Sequence, residues 1–247
     1  MTRHVAAVTG GSRGLGRACA VALAEAGWTV AIGYRSSETD AKEAVAALEA
    51  AGMPGLAVYM DITDESSVQE AFRRIGDEVG PVTGLVNNAG FSQDGLLVKY
   101  SLNTYDRVMA TNVRGSFLCT QAALRGMLRA KWGRIVNMSS AVALHGNAGQ
   151  TVYAASKTAL LGLTTSLARE VGAKGITVNA VCPGMIDTEL TRESAAPEVL
   201  ERLAKSYPVP RLGTSIEVAD LICFVASEAA GYITGASLDI NGGDLMM

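Results

Sequence analysis

The strongest constraint on the fold is a rhythm. Short, nearly continuous apolar runs alternate with longer stretches of helical periodicity along the chain. The runs fall at His4–Thr9, Thr29–Tyr34, Leu56–Met60, Gly84–Asn87, Arg134–Met138, Thr177–Val181 and Ser237–Ile240. A strand that is apolar at consecutive positions has both faces covered, which is the condition inside a parallel sheet. Helical patterns such as Leu15–Ala26, Thr39–Ala51, Ser66–Val79 and Tyr153–Val171 lie between the runs. The alternation predicts an α/β chain: a doubly wound, mainly parallel seven-stranded sheet with helices on both faces.

The 247 residues suffice for one large domain, and no linker-like stretch interrupts the pattern, so a single domain over 1–247 is expected. The irregular stretch is Gly184–Pro210. It holds Pro197, Pro208 and Pro210 around a short helical pattern at Glu198–Lys205, and its place after a strand suits a substrate lid or a plain surface excursion. Hydrophobic residues make up 49% of the chain, charged residues 18%, and the net charge is −3 with signs interspersed. That balance excludes a disordered chain and argues against nucleic-acid or membrane partners. Cys19, Cys119, Cys182 and Cys223 match no metal or redox spacing and read as buried free thiols. With no cleavable signal pattern and no long uncharged apolar run, a cytoplasmic location and no metal are expected.

The first strand runs into Thr9-Gly10-Gly11-Ser12-Arg13-Gly14-Leu15-Gly16 and then a helix pattern. Glycines there allow a tight turn and let backbone approach a pyrophosphate at a helix N-terminus. The spacing of Gly10, Gly14 and Gly16 is G-x-x-x-G-x-G rather than the common dinucleotide fingerprint. Where that fingerprint's acid would follow the second strand, this chain has Tyr34-Arg35-Ser36. A carboxylate would repel a 2′-phosphate and a guanidinium would bind one, so Arg35 and Arg13 favour NADP(H) over NAD(H); two solvated loop arginines are the alternative. Asp61, ending the third strand before Ile62, reads equally as an adenine acceptor or a helix cap. In Asn87-Asn88-Ala89-Gly90 an Asn can pin strands or touch ligand.

Tyr153 and Lys157 stand one helical turn apart on one face. An ammonium beside a phenol is expected to lower the phenol's pKa and make it a usable proton donor near neutrality. Ser140, thirteen residues earlier at a strand end, could donate to a carbonyl. Asn112 lies within a helical stretch from Thr104 to Arg129, where it is either solvent-facing or tied to a kink.

Taken in this order, Thr9–Gly16, Asn88-Ala89-Gly90, Asn112, Ser140, Tyr153-x-x-x-Lys157 and Pro183-Gly184 resemble the short-chain dehydrogenase/reductase family over essentially the whole chain. The resemblance implies a Rossmann-type domain that binds NADPH/NADP+ and reduces a carbonyl. Tyr153 would be the acid, Lys157 would tune it and hold the nicotinamide ribose, Ser140 would orient the carbonyl, and Asn112 would hold a relay water. Gly10, Ser12, Arg13, Gly14, Leu15, Gly16, Arg35, Ser36, Asp61, Ile62, Asn88, Ala89, Gly90, Pro183, Gly184, Ile186 and Thr188 would complete the cofactor set. Within the family the chain is similar to 3-oxoacyl-[acyl-carrier-protein] reductases. That similarity implies an acyl thioester substrate, possibly carried on acyl carrier protein. His145 and Gln150 would line the substrate mouth, Lys131 and Lys174 would dock the acidic carrier, and a homotetramer is implied. A reductase of a free ketone, sugar or polyol is the alternative activity, and a non-catalytic dinucleotide sensor is the alternative of another class.

Overall fold

A computed structural model describes residues 4–194 and 196–246. In chain order it contains β1 (Val5–Thr9), α1 (Gly14–Glu25), β2 (Thr29–Tyr34), α2 (Glu38–Ala50), β3 (Gly55–Tyr59), α3 (Glu65–Glu78) and β4 (Gly84–Asn87). There follow α4 (Leu102–Met109), a π-helical segment (Ala110–Gly115), α5 (Ser116–Ala130), β5 (Gly133–Met138), α6 (Val142–His145), α7 (Thr151–Val171) and β6 (Ile176–Pro183). Last come β7 (Ile186–Asp187), α8 (Glu189–Ser194), α9 (Pro197–Ser206), β8 (Gly213–Thr214), α10 (Ser215–Ala226) and β9 (Ser237–Ile240).

Seven strands form one sheet in the order β3-β2-β1-β4-β5-β6-β9, and every pairing in it is parallel. All seven expected strands exist, with edges shifted by a residue or two; β5 begins one residue earlier, at Gly133, and β6 is longer at both ends, ending at Pro183. The continuous apolar runs are explained by alternation. Ala6 and Val8 face the layer of α1 and α10, while Val5 and Ala7 face the layer of α3, α5 and α7. Both faces are dry, so successive residues must both be apolar. The excursion after β6 holds α8 and α9, and its ends are stitched by the β7–β8 ladder, with Ile186 opposite Gly213.

The expected helix from Thr104 to Arg129 is not one regular helix. It is α4 and α5 joined through the π-helical turn that contains Asn112. Cys19, Cys119 and Cys182 are buried free thiols, and Cys223 is partly exposed. Among the described residues no helix is long and apolar enough to cross a membrane, and no cluster of metal-ligating side chains occurs.

The amino-terminal edge of the sheet is closed by an aromatic stack. His4 lies against Trp132 with ring centroids 3.9 Å apart, Trp28 sits 5.2 Å from His4, and the Arg134 guanidinium covers Trp132 at 4.4 Å. Burial, with Arg134 adding to it and Glu228 opposing, holds the His4 imidazole below its ordinary pKa of 6.5. The folded state therefore favours neutral His4. Its contribution to stability is complete above pH 6.5 and is lost progressively as pH falls below that value, because the unfolded chain takes up the proton first. Thermal unfolding followed from pH 8 to about pH 5 should show this loss, and His4→Phe should flatten it; an unchanged pH slope in the variant would exclude His4 as its source.

Candidate active site

Parallel strands send all their carboxyl ends to one edge, and the crevice opens where connections diverge, between neighbours β1 and β4. Side chains hold that junction. The Thr9 hydroxyl accepts hydrogen bonds from the Asn88 and Ala89 backbone N–H groups at 3.0 and 2.9 Å. The Asn88 amide donates to the carbonyls of Thr9 and Gly10 at 2.9 and 3.2 Å. Asn88 thus pins the ends of the two strands together. Asn87 does the same one residue earlier, donating to Thr120 and Asn137 in the buried interior.

The glycine turn follows this pin. Gly10 and Gly14 have φ of +62° and +53°, which only glycine adopts without strain. A Cβ on Gly16 would strike the Gly10 carbonyl, whereas the space around Gly14 is open. Arg13 is the residue before α1 and leaves its side chain in solvent, with Ser12 and Leu15 half-buried beside it. The first-turn N–H groups of α1 have no intrahelical partners, and no side chain caps them. Arg35 and Ser36, just past β2, are exposed as well. Neither Arg13 nor Arg35 makes an ion pair with another described residue. Asp61 is not the cap of α3; Asp64 is, accepting from the Ser66 N–H at 2.8 Å. Asp61 instead accepts from the Thr63 backbone and hydroxyl, both on Oδ1. Ile62 is buried and fills the space above Gly115.

Asn112 is wholly buried, so the solvent-facing reading fails. Its amide donates to the Phe91 carbonyl at 3.1 Å and to the Ser156 hydroxyl at 2.9 Å, and its Oδ1 accepts from the Phe91 N–H at 3.0 Å. Ser156 in turn donates to the Tyr153 carbonyl at 2.7 Å. Asn112 therefore ties the loop after β4 to the first turns of α7. A Cβ on Gly90 would lie 2.9 Å from Asn112 Oδ1 and 3.4 Å from Lys157 Nζ, which is why that position is bare.

Lys157 is 5% exposed and donates to the Met138 carbonyl at 2.7 Å, with Nζ 5.7 Å from the centre of the Tyr153 ring. Burial brings its pKa down to about 8. Burial also raises the Tyr153 pKa; a hydrogen bond with Ser140 opposes this and the Asp94 charge adds to it. The expected lowering of Tyr153 by Lys157 does not occur in the protein alone. Desolvation of the phenolate outweighs the attraction of an ammonium that already spends a donor on Met138. Tyr153, Ser140, Lys157 and Asn112 are nonetheless gathered at one place.

The remaining expected residues divide. Pro183 closes β6, Gly184 packs against Asn241, Ile186 is buried, and Thr188 accepts from the Thr191 N–H at 3.2 Å. Gln150 donates to both oxygens of Asp94. His145 ends α6, paired with Asp244 at 3.2 Å. Lys131 and Lys174 do not reach the crevice. They precede β5 and β6, at the opposite edge of the sheet, where Lys131 adopts a left-handed φ of 51° to end α5. Sequence reasoning overlooked Thr9, Ser156 and Asp94, since a lone hydroxyl or acid carries no spacing signal.

A family model described as enoyl-(acyl carrier protein) reductase matches residues 10–244. The chain belongs to the short-chain dehydrogenase/reductase family of oxidoreductases. Among its relatives, the 3-oxoacyl-[acyl-carrier-protein] reductase FabG of Pseudomonas aeruginosa is 44% identical, covering 98% of this chain and 97% of the relative. The same-named protein of Aquifex aeolicus is 41% identical over 97% and 96%. A blue fluorescent protein from a metagenomic library, solved in complex with NADPH, superposes with a TM-score of 0.92 at 41% identity, covering 98% of both chains. A short-chain dehydrogenase/reductase from Serratia marcescens gives 0.91 at 39% identity over 97% of both.

Asn112→Ala would leave the Phe91 N–H without its partner in a partly buried setting, a cost of roughly 1–3 kcal/mol. Calorimetry should register it as a lower Tm, accompanied by faster amide exchange over residues 88–96. Unchanged exchange there would mean that Asn112 does not hold the loop.

Proposed function

We propose that this protein is an NADPH-dependent reductase of 3-oxoacyl thioesters. The observation that carries the reading is the gathering of Ser140, Tyr153 and Lys157 beside the glycine turn at the strand-divergence crevice. The residues present suit the dinucleotide. Open space over Gly14, two unpaired arginines and a buried ammonium with donors to spare are what a pyrophosphate, a 2′-phosphate and a ribose require. Arg13 and Arg35 would hold the 2′-phosphate, the backbone of Ser12–Gly16 the pyrophosphate, and Lys157 and Tyr153 the nicotinamide ribose. Bound there, the dinucleotide supplies a hydride to the carbonyl carbon. Ser140 donates a hydrogen bond to the carbonyl oxygen, and Tyr153 delivers the proton that completes the alcohol. Tyr153 must start protonated, and its raised pKa keeps it so through neutral pH; reduction is therefore lost at alkaline pH, as the phenol ionises.

The acyl thioester is favoured over a free ketone or sugar by the names of the near-full-length relatives. On this reading residues 184–210, with α8 and α9, form a lid over the substrate. Lys131 and Lys174 dock an acidic carrier from the far edge of the sheet. A homotetramer suits the exposed apolar side chains Leu102, Tyr105, Phe117 and Leu128 on α4 and α5; Phe117 also lines a groove of about 700 Å³ with Met109, Val113 and Leu163.

The test is oxidation of NADPH with acetoacetyl-CoA, run beside NADH and a panel of free ketones and sugars. NADPH-dependent loss with the thioester supports the reading; turnover of a free ketone alone discards the acyl assignment. Arg35→Asp should weaken NADPH at least tenfold more than NADH, and equal losses would refute the 2′-phosphate role. Tyr153→Phe should abolish turnover while leaving NADPH binding within a few-fold.

A further inference from the structure

The strand that leads to Ser140 also grips Lys157, through a residue that the mechanism above does not use. Residues two apart along a strand point to one face. Asn137 and Ser139 both point at α7, while the Met138 side chain enters the core layer of α1 and α10. The Asn137 amide donates to the Thr164 hydroxyl at 2.9 Å. The Ser139 hydroxyl, on a residue 4% exposed, donates to the backbone carbonyl of Lys157 at 2.9 Å. The Met138 carbonyl takes the other end of the same lysine, accepting from Nζ at 2.7 Å. The strand end is itself fixed, since the N–H groups of Ser139 and Ala141 donate to the carbonyls of Val181 and Pro183 at 2.8 and 2.9 Å.

We propose that Ser139 is a positioning residue for Lys157: its hydroxyl holds the α7 backbone at that lysine, so that one short piece of strand sets the ammonium relative to Ser140. The inference rests on the reductase reading, in which Lys157 serves Tyr153 and the nicotinamide ribose. An ammonium has three donors. The Met138 contact spends one and leaves Nζ able to pivot about it. Where the other two point follows from where the flexible stem enters, and the Ser139 contact sets that by fixing the backbone at residue 157. The other group beside the Ser139 hydroxyl is the Cys182 thiol from β6, which burial keeps protonated and which is the weaker acceptor. Thr164 supplies an internal comparison. Its hydrogen bond ties the same helix to the same strand, two turns beyond Lys157, without touching that lysine.

Ser139→Ala removes the hydroxyl, and Thr164→Val removes the neighbouring staple. With NADPH and acetoacetyl-CoA, kcat should fall about tenfold in Ser139→Ala while KM stays within about twofold, the mark of a misplaced catalytic group. Ser139→Thr, which keeps the donor, should recover most of the loss. Thr164→Val should lower Tm yet keep kcat near that of the unaltered protein. A second readout needs no turnover: acetic anhydride labelling of lysines in the protein alone, followed by peptide mass spectrometry. Lys157 should label several-fold faster in Ser139→Ala, with exposed Lys131 unchanged, and at its original rate in Thr164→Val. Lys157 labelling that does not change in Ser139→Ala, or a loss of kcat that Thr164→Val reproduces, overturns the proposal. Ser139→Cys, a weaker donor of similar size, serves if the Ala variant fails to fold. Faster labelling in a protein that reduces no carbonyl would remove the reductase reading and leave the hold of Ser139 on Lys157 standing.

Discussion

The carboxyl edge of this sheet depends on a few hydrogen bonds between two adjacent strands whose chains part company. Beyond Thr9 the backbone of β1 turns one way, into α1, and beyond Asn87 that of β4 turns the other. Ladder pairing stops there, yet the polar groups remain half-buried and cannot be left bare. Thr9 and Asn88 substitute side-chain bonds for the lost ladder. The glycine turn inherits its position from that pin, since Gly10 is itself one of the carbonyls that Asn88 holds. A site that must present backbone N–H groups to a ligand is thereby built from side chains that face away from it.

Much of this was legible in the sequence, because the signals were periodic. Consecutive apolar residues such as Val5-Ala6-Ala7-Val8 announced a strand covered on both sides, and seven such runs gave the sheet. Positions one helical turn apart placed Tyr153 and Lys157 together. What escaped was everything decided by a third dimension. Asn112 has the same local surroundings whether it points out or in, and only the π-helical turn settles that it points in. Asp61 and Asp64 both precede α3, and the cap falls to the one nearer the first turn. Lys131 and Lys174 stand near Tyr153 in neither sequence nor space: a residue before a strand lies a strand's length from a residue after it, about 20 Å for six residues.

The crevice is electrically divided. At one end Lys157 lies out of water, with burial lowering its own pKa to about 8 and raising that of Tyr153. Burial thus penalises the charged form of both groups, so the ammonium loses its proton more readily and the phenol keeps its own. At the other end Arg13 and Arg35 stand in solvent. A dry end suits proton transfer, and a wet end suits recognition. The sheet separates them by the spacing of β5 and β2, with β4 and β1 between.

The π-helical turn between α4 and α5 carries a consequence for how this chain can vary in length. Each residue of an α-helix advances the side-chain direction by about 100°. One residue more than an α-helix needs lets Asn112 turn inward while α5 still presents Ser116, Cys119, Ala123 and Met127 to the core. Deleting a single residue here would restore a regular helix and force a choice between the two faces. Either Asn112 swings out or the apolar stripe of α5 does. Surface loops elsewhere absorb insertions and deletions freely. This helical segment has a reading frame, and a one-residue slip in it would be felt at the Phe91 backbone and in the core together.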